Sequence, residues 1–216
     1  MTRERREGAN YNLYTKEDFM HYRTIKRAVL ELIDQYSVAG EAVSPAYNNQ
    51  SDTLQRIPGL INQALLDIRT GPAPERNVCR LERGERLPNG WRQHSLPGDF
   101  WRLCSGGVRK LTDDGLHLTN DYQLLGERAL LTPEGVYMAE YYHYPEQLPD
   151  DPSDDYECGE TAEVLRMACL YAAACLMRTE DEFAYTTLYS EYESRLSRLT
   201  PAVAAEIHSV QNVYGF

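Results

Sequence analysis

Apolar residues recur at three- and four-residue steps at both ends of this chain and alternate, two by two, in between. Near the start, Phe19, Tyr22, Ile25, Val29, Leu32, Ile33 and Tyr36 mark one face of a helix over residues 15–37. Thr15 is placed to cap it, with Glu17 and Asp18 in the first turn, where negative charge meets the positive end of the helix dipole. Gly40 lies beyond the pattern, and residues 41–51 read as a loop. A second stripe, Ile57, Ile61, Ala64, Leu65 and Ile68, predicts a helix over 52–70. Pro58 either kinks this helix or opens its first turn, and Gly71, Pro72 and Pro74 end it. Two such helices with a modest loop between them are expected to pack as an antiparallel pair.

From 77 to 145 the period changes. Asn89-Gly90, Gly106-Gly107, Asp114-Gly115 and Pro133-Glu134-Gly135 punctuate short segments at hairpin-like intervals, with strands predicted at 77–82, 107–111, 122–125, 128–132 and 136–144. The last carries large side chains on both faces and is expected to be covered on both, with Pro145 ending it. Residues 145–160 hold seven acids and no base, a linker or an exposed rim loop. A helix over 160–178 follows, apolar nearly all round and therefore central. Thr179 and Glu182 form a capping box for a helix over 180–200, which sets Tyr185, Leu188, Tyr189, Tyr192, Leu196 and Leu199 on one face and pairs Glu191 with Arg195. The final residues repeat helical spacing at Val203, Ile207, Val210 and Tyr214. The fold class expected is α+β, mainly α: a helical bundle of an N-terminal helix pair and a C-terminal helical hairpin, with a central antiparallel β-sheet or hairpin insertion and an extended C-terminal arm. Residues 1–12 form a flexible N-terminal arm, 13–200 one domain, and 201–216 the arm at the other end.

A net charge of −11 argues against nonspecific duplex binding, because affinity for DNA comes mostly from neutralising phosphates with a basic face. It suits a surface that DNA slides past. The five cysteines have no CxxC spacing, which fits free thiols in a reducing compartment rather than a disulfide framework. No signal peptide follows the basic start. The longest apolar run, Met167 to Met177, covers about half of the ~20 residues that cross a bilayer, so no membrane is expected.

Candidate chemistry thins out on inspection. The acidic run Asp150, Asp151, Asp154, Asp155 and Glu157 lacks the ligand order and turn glycine of a calcium loop, and prolines interrupt it; it reads as a solvated loop. The five histidines form no ligand pair, Cys104 ahead of Ser105-Gly106-Gly107 has no base and reads as a turn, and no phosphate-binding glycine loop is present. No catalytic, metal or cofactor site is predicted, and the chain reads as a non-enzyme. A hydrolase using the acidic loop and a metal is the weakest rival. Sixteen tyrosines against two tryptophans and four phenylalanines point to packing for most, with interface roles for a minority. The C-terminal stripe either folds back on its own domain or docks in a partner's groove.

The phrases KRAVLELIDQYSVAG, RIPGLINQALLDI, LPGDFWRL and VYMAEYYHYP, and the apolar helix followed by FAYTTLYSEYESRL, come in an order that resembles the head–tail adaptor proteins of tailed phages. The resemblance implies a helical bundle with a β insertion that assembles as a twelve-fold ring beneath the portal, bounds the DNA channel and presents a platform for the next neck or tail protein. It implies no cofactor and a place in the virion neck, after assembly in the host cytoplasm, with genomic DNA passing through without specific binding. Carried to this chain by position, Val203, Ile207, Val210, Val213, Tyr214 and Phe216 become the portal-docking candidates. Asp150, Asp151, Asp154, Asp155 and Glu157 become the acidic loop at the channel or rim. The LERGERLPNGW stretch and the Gly106-Gly107 pair depart from the family's pattern and read as tail-facing loops. A non-viral helical binding module and a head-closure protein are the alternatives.

Overall fold

The computed structural model describes residues 19–37, 49–82 and 84–199. The N-terminal arm, the Thr15 cap with Glu17 and Asp18, most of the 41–51 loop and the six docking candidates from Val203 to Phe216 lie outside them. The described residues form four helices and three antiparallel sheets, about 40% helix and 32% strand, so the class is mixed α+β with strands nearly as prominent as helices.

In chain order the elements are β1 (Phe19–His21), α1 (Tyr22–Ser37), α2 (Asn49–Thr70), β2 (Arg76–Leu81), β3 (Glu85–Arg86), β4 (Arg92–Ser95), β5 (Phe100–Thr112), β6 (Gly115–Leu118), β7 (Gln123–Leu125), β8 (Ala129–Thr132), β9 (Val136–His143), β10 (Glu157–Thr161), α3 (Ala162–Met177) and α4 (Glu182–Arg198). The helices share one core around α3, whose buried residues include Val164, Leu165, Met167, Leu170, Leu176 and Met177. Each such side chain contributes about 1.5–3 kcal/mol by leaving water. The α2 stripe from Ile57 to Ile68 is buried as predicted, and Tyr22, Ile25 and Val29 of α1 join it. The expected pairing of the first two helices is corrected: α1 and α2 touch each other little, and each lies on α3. A helix as apolar as α3 offers every neighbour a better surface than two amphipathic helices offer each other.

Three boundaries differ from the pattern, the first and the last for a hydrogen-bonding reason. First, α1 begins at Tyr22, not in the teens, because residues 19–21 pair with β10 as a two-stranded sheet. Pro58 lies inside α2, which starts at Asn49, so neither a first-turn proline nor a start at 52 describes it. The Thr179 capping box does not form. The N–H groups of Glu180 and Asp181 turn back to the Met177 carbonyl, at 3.0 and 2.9 Å, and Asp181 caps α4 by accepting from the Ala184 N–H at 3.0 Å.

Between the helices, the sheets β2-β9-β5-β6 and β3-β4-β8-β7 pack face to face. Leu81, Val108, Tyr137 and Ala139 of the first meet Leu130 of the second in a five-residue core. Asn89-Gly90 and Asp114-Gly115 turn hairpins as expected, but Pro133-Gly135 carries the chain from one sheet to the other. Gly106-Gly107 is not a turn either. Strand β5 runs straight through it, with a bulge between Leu103 and Val108. Gly106 has φ 64°, and a side chain on Gly107 would collide with the Glu140 carbonyl of β9 and sit 2.8 Å from the Cys104 carbonyl. The glycine pair lets two backbones meet, and Cys104 is buried beside it.

Candidate functional site

The acidic run is a pinned crossing, not a free linker. Leu148 is buried in the helical core, and Asn62 of α2 holds its backbone from both sides: Asn62 Nδ2 donates to the Leu148 carbonyl at 2.9 Å and the Leu148 N–H donates to Asn62 Oδ1 at 2.7 Å. Further on, the Asp154 and Tyr156 carbonyls accept the N–H groups of Arg23 and Tyr22, at 3.1 and 2.9 Å. Those donors belong to the first turn of α1 and have no partner within their own helix. Side chains follow the backbone: Arg23 pairs with Asp155 at 3.1 Å, and Lys26 with Asp154. Carboxylates thus gather at the positive end of the α1 dipole. The bases that the run lacks come from α1, more than a hundred residues earlier.

Asp150, Asp151 and Glu157 make no ion pair among the described residues and stand exposed. Together with Tyr22, Lys26, Leu54, Gln55 and Pro58, the first two line an open groove of about 510 Å³ between the crossing, α1 and α2. Burial, then the charges of Asp151 and Asp154, pushes the Tyr22 phenol up to about 12. Its hydroxyl stays protonated in neutral solution.

Glu160 belongs to the same acidic run, yet it is buried, which the sequence reading did not foresee. Arg69 of α2 donates to both its oxygens, Nε at 3.2 and 3.1 Å and Nη2 to Oε2. Nη1 donates to the Ala73 carbonyl at 3.1 Å, and Glu75 Oε2 lies 3.1 Å from Nη2. One guanidinium therefore ties α2, β10 and the start of the β insertion. The exit from the insertion is aromatic: Arg102 lies over the rings of Trp101 and Tyr142, 4.3 and 4.9 Å from their centroids, and Trp101 packs on Tyr144.

The surface that sequence reasoning missed is on the sandwich. Leu111, Leu116 and Leu118 share the outer face of the first sheet, where Leu116 lies opposite Leu111 in register. Leu124 and Leu125 are exposed on β7, and Leu118 is 69% exposed. The one local signal for it, the alternation Leu116-His117-Leu118, spans three residues between the predicted strands 107–111 and 122–125.

Burial pushes Cys158 up to about 11 and Cys169 up to about 12, which leaves them as thiols. No three His, Cys, Asp or Glu side chains converge as a cation site among the described residues, and no described helix is long and apolar enough to cross a membrane. The class of molecule these features define is a mixed α+β protein with pinned surfaces and exposed apolar strands. The chain matches no protein-family model, and no curated protein matches it.

Proposed function

We propose that the chain is a head–tail adaptor of a tailed phage, a virion structural protein that rings beneath the portal, extends the DNA channel and carries the next neck or tail component. The observation that supports this most is the order of elements: two helices, a β insertion, an acidic crossing, then a helical hairpin centred on α3. That is the layout on which the resemblance rests, a helical bundle with a β insertion and a C-terminal arm. The partners in this reading are other copies of the chain in a ring of twelve, the portal protein and the following connector. Genomic DNA passes through unbound, and a net charge of −11 suits that passage because phosphates are repelled. Residues 201–216 are the portal-docking arm, with Val203, Ile207, Val210, Val213, Tyr214 and Phe216 as its contacts. The exposed Asp150, Asp151 and Glu157 line the channel or its rim.

The test mixes full-length protein with the portal of the same genome, with and without residues 201–216, under the electron microscope. The expected result is a ring stacked coaxially on the portal and lost on deleting the arm. Attachment that survives the deletion overturns the docking assignment, and protein that stays unattached overturns the adaptor reading in favour of a binding module.

A further inference from the structure

The sandwich has two open sides. In the first sheet β2 and β6 are the edges, and in the second β3 and β7. The connections 82–84 and 119–122 are short, so β2 stays beside β3 and β6 beside β7, on opposite sides of the sandwich. An edge strand offers unpaired N–H and C=O groups to any incoming strand, and folded proteins usually blunt such edges with charge, proline or cover. Among the described residues β6 and β7 carry no proline, charged side chain or covering segment, and the acids lie in the turns beside them. Leu116, Leu118, Leu124 and Leu125 are all exposed on this side, with Leu111 alongside. Leu111, Leu116 and Leu118 share one face at this edge, and a row of exposed apolar side chains beside an open strand marks a contact.

We infer that this side receives the β2–β3 side of a second copy of the same chain, head to tail, and that repetition of this contact closes the ring. The inference rests on the adaptor reading and assigns the surface through which its subunits meet. Charge selects the occupant. Residues 113–128 carry Asp113, Asp114, Asp121 and Glu127 against the single base Arg128, whereas residues 76–86 carry four arginines against two glutamates. A two-fold contact of β6 on β6 would set the acids against their own copies. A head-to-tail contact sets them against Arg76, Arg80 and Arg86. The pairs that Arg80 makes with Glu82 and Arg76 with Glu140 are surface pairs worth little, and both arginines remain exposed enough to take new partners.

Strand direction agrees. Every neighbouring pair in the first sheet is antiparallel, and there are four strands, so β2 and β6 run in opposite senses. A copy set alongside in the same orientation, as rotation about an axis along the strands would do, brings its β2 antiparallel to β6. Side chains agree as well. Val78 of β2 lies opposite Glu140, and Leu111 opposite Val136, so Val78 and Leu111 share the outer face with Leu116. Val78 is 53% exposed and would continue the leucine row across the seam. An interface that uses two different sides of each subunit closes into a ring when its rotation divides the circle.

The experiment uses the full chain, alone and with portal, read by sedimentation velocity and electron microscopy. Leu118→Asp tests the apolar seam. Asp113→Arg with Asp121→Arg reverses one side, Arg76→Glu with Arg80→Glu reverses the other, and the fourfold variant swaps both. Leu118 is mostly solvated, so its variant keeps the wild-type melting temperature while losing ring assembly. Each one-sided reversal weakens assembly on the order of tenfold or more, because like charges then face each other, and the fourfold swap restores it. Wild-type rings that survive Leu118→Asp and both reversals overturn this surface and leave the adaptor reading standing. A dimer broken by Leu118→Asp and not rescued by the swap overturns the head-to-tail arrangement. Wild-type protein that stays single with and without portal overturns the ring reading and this inference with it.

Discussion

Replacing Arg69 with Met isolates the only buried carboxylate among the described residues. The Glu160 side chain is 6% exposed and Arg69 11%, so neither charge can turn to water when the other is removed. Arg69→Met keeps the apolar stem and removes three N–H contacts to Glu160 and one to the Ala73 carbonyl. Breaking a buried pair by deleting one partner costs about 3–5 kcal/mol, mostly the desolvation of the charge left behind. For a chain of this size that lowers the melting temperature by roughly 6–20 °C. Glu160→Met should cost less, about 2–3 kcal/mol, because Glu75 remains 3.1 Å from the Arg69 guanidinium as a second partner. The double variant puts two apolar side chains in contact and should be more stable than Arg69→Met alone. Urea unfolding followed by helical circular dichroism gives all three values, since the pair anchors the helical core rather than the sandwich. If Arg69→Met costs under about 1 kcal/mol, or the double variant loses the sum of the singles, the pair is not energetically coupled and the reasoning fails.

Two further predictions concern the sandwich. The Tyr137 hydroxyl is buried with no hydrogen-bond partner among the described residues, so Tyr137→Phe should be neutral or stabilising by up to about 1 kcal/mol in urea unfolding, and a clear loss would reveal a partner. His94 is 2% exposed and bonded to Thr132 at 3.0 Å; burial, then the Arg92 charge, lowers its pKa from the usual 6.5. The unfolded chain therefore takes up this proton first, and stability present above pH 6.5 is lost as pH falls from there toward the lowered folded value. Between pH 7.5 and 5.5 the wild type should lose more stability than His94→Gln, and parallel curves would refute the assignment.

The helical half was largely legible in the sequence because its signal is local. The stripes of α2 and α4 and the all-round apolarity of α3 each follow from side chains three or four residues apart. What was missed depends on residues far apart in the chain. Strands β1 and β10 exist only because they pair with each other across the whole β insertion, and alone each is too short to announce itself. Gly106-Gly107 reads as a turn until β9 is known to press against it. Glu160 looks like one more acid in an acidic run until Arg69 is found beside it. The exposed leucines of β6 and β7 were invisible for the same reason, since exposure at an edge is a property of sheet order and not of the strand's own sequence.

The chain's acidity is therefore not one property. Asp154 and Asp155 pair with Lys26 and Arg23 at the surface beside the start of α1, and Glu160 holds Arg69, so these carboxylates are partly neutralised by the fold. Asp150, Asp151 and Glu157 stand free on the crossing, and Asp113 and Asp121 flank the apolar edge of the sandwich without an ion pair among the described residues. Only the second group projects a field that a neighbour or a passing strand of DNA would feel, because a paired charge is largely cancelled at a distance beyond a Debye length of about 8–10 Å. If the crossing faces a channel, its repulsion of phosphate comes from Asp150, Asp151 and Glu157. Substituting Asp154 and Asp155 would change stability by about 1 kcal/mol or less, because backbone carbonyls and not these exposed carboxylates accept the first N–H groups of α1. If the sandwich edge meets a second copy, the acids beside it are satisfied there by arginines that the subunit alone keeps on its far side. A formal charge of −11 then overstates the field of the assembled ring wherever acid and arginine meet across a seam, and understates the contrast between its seams and its lumen.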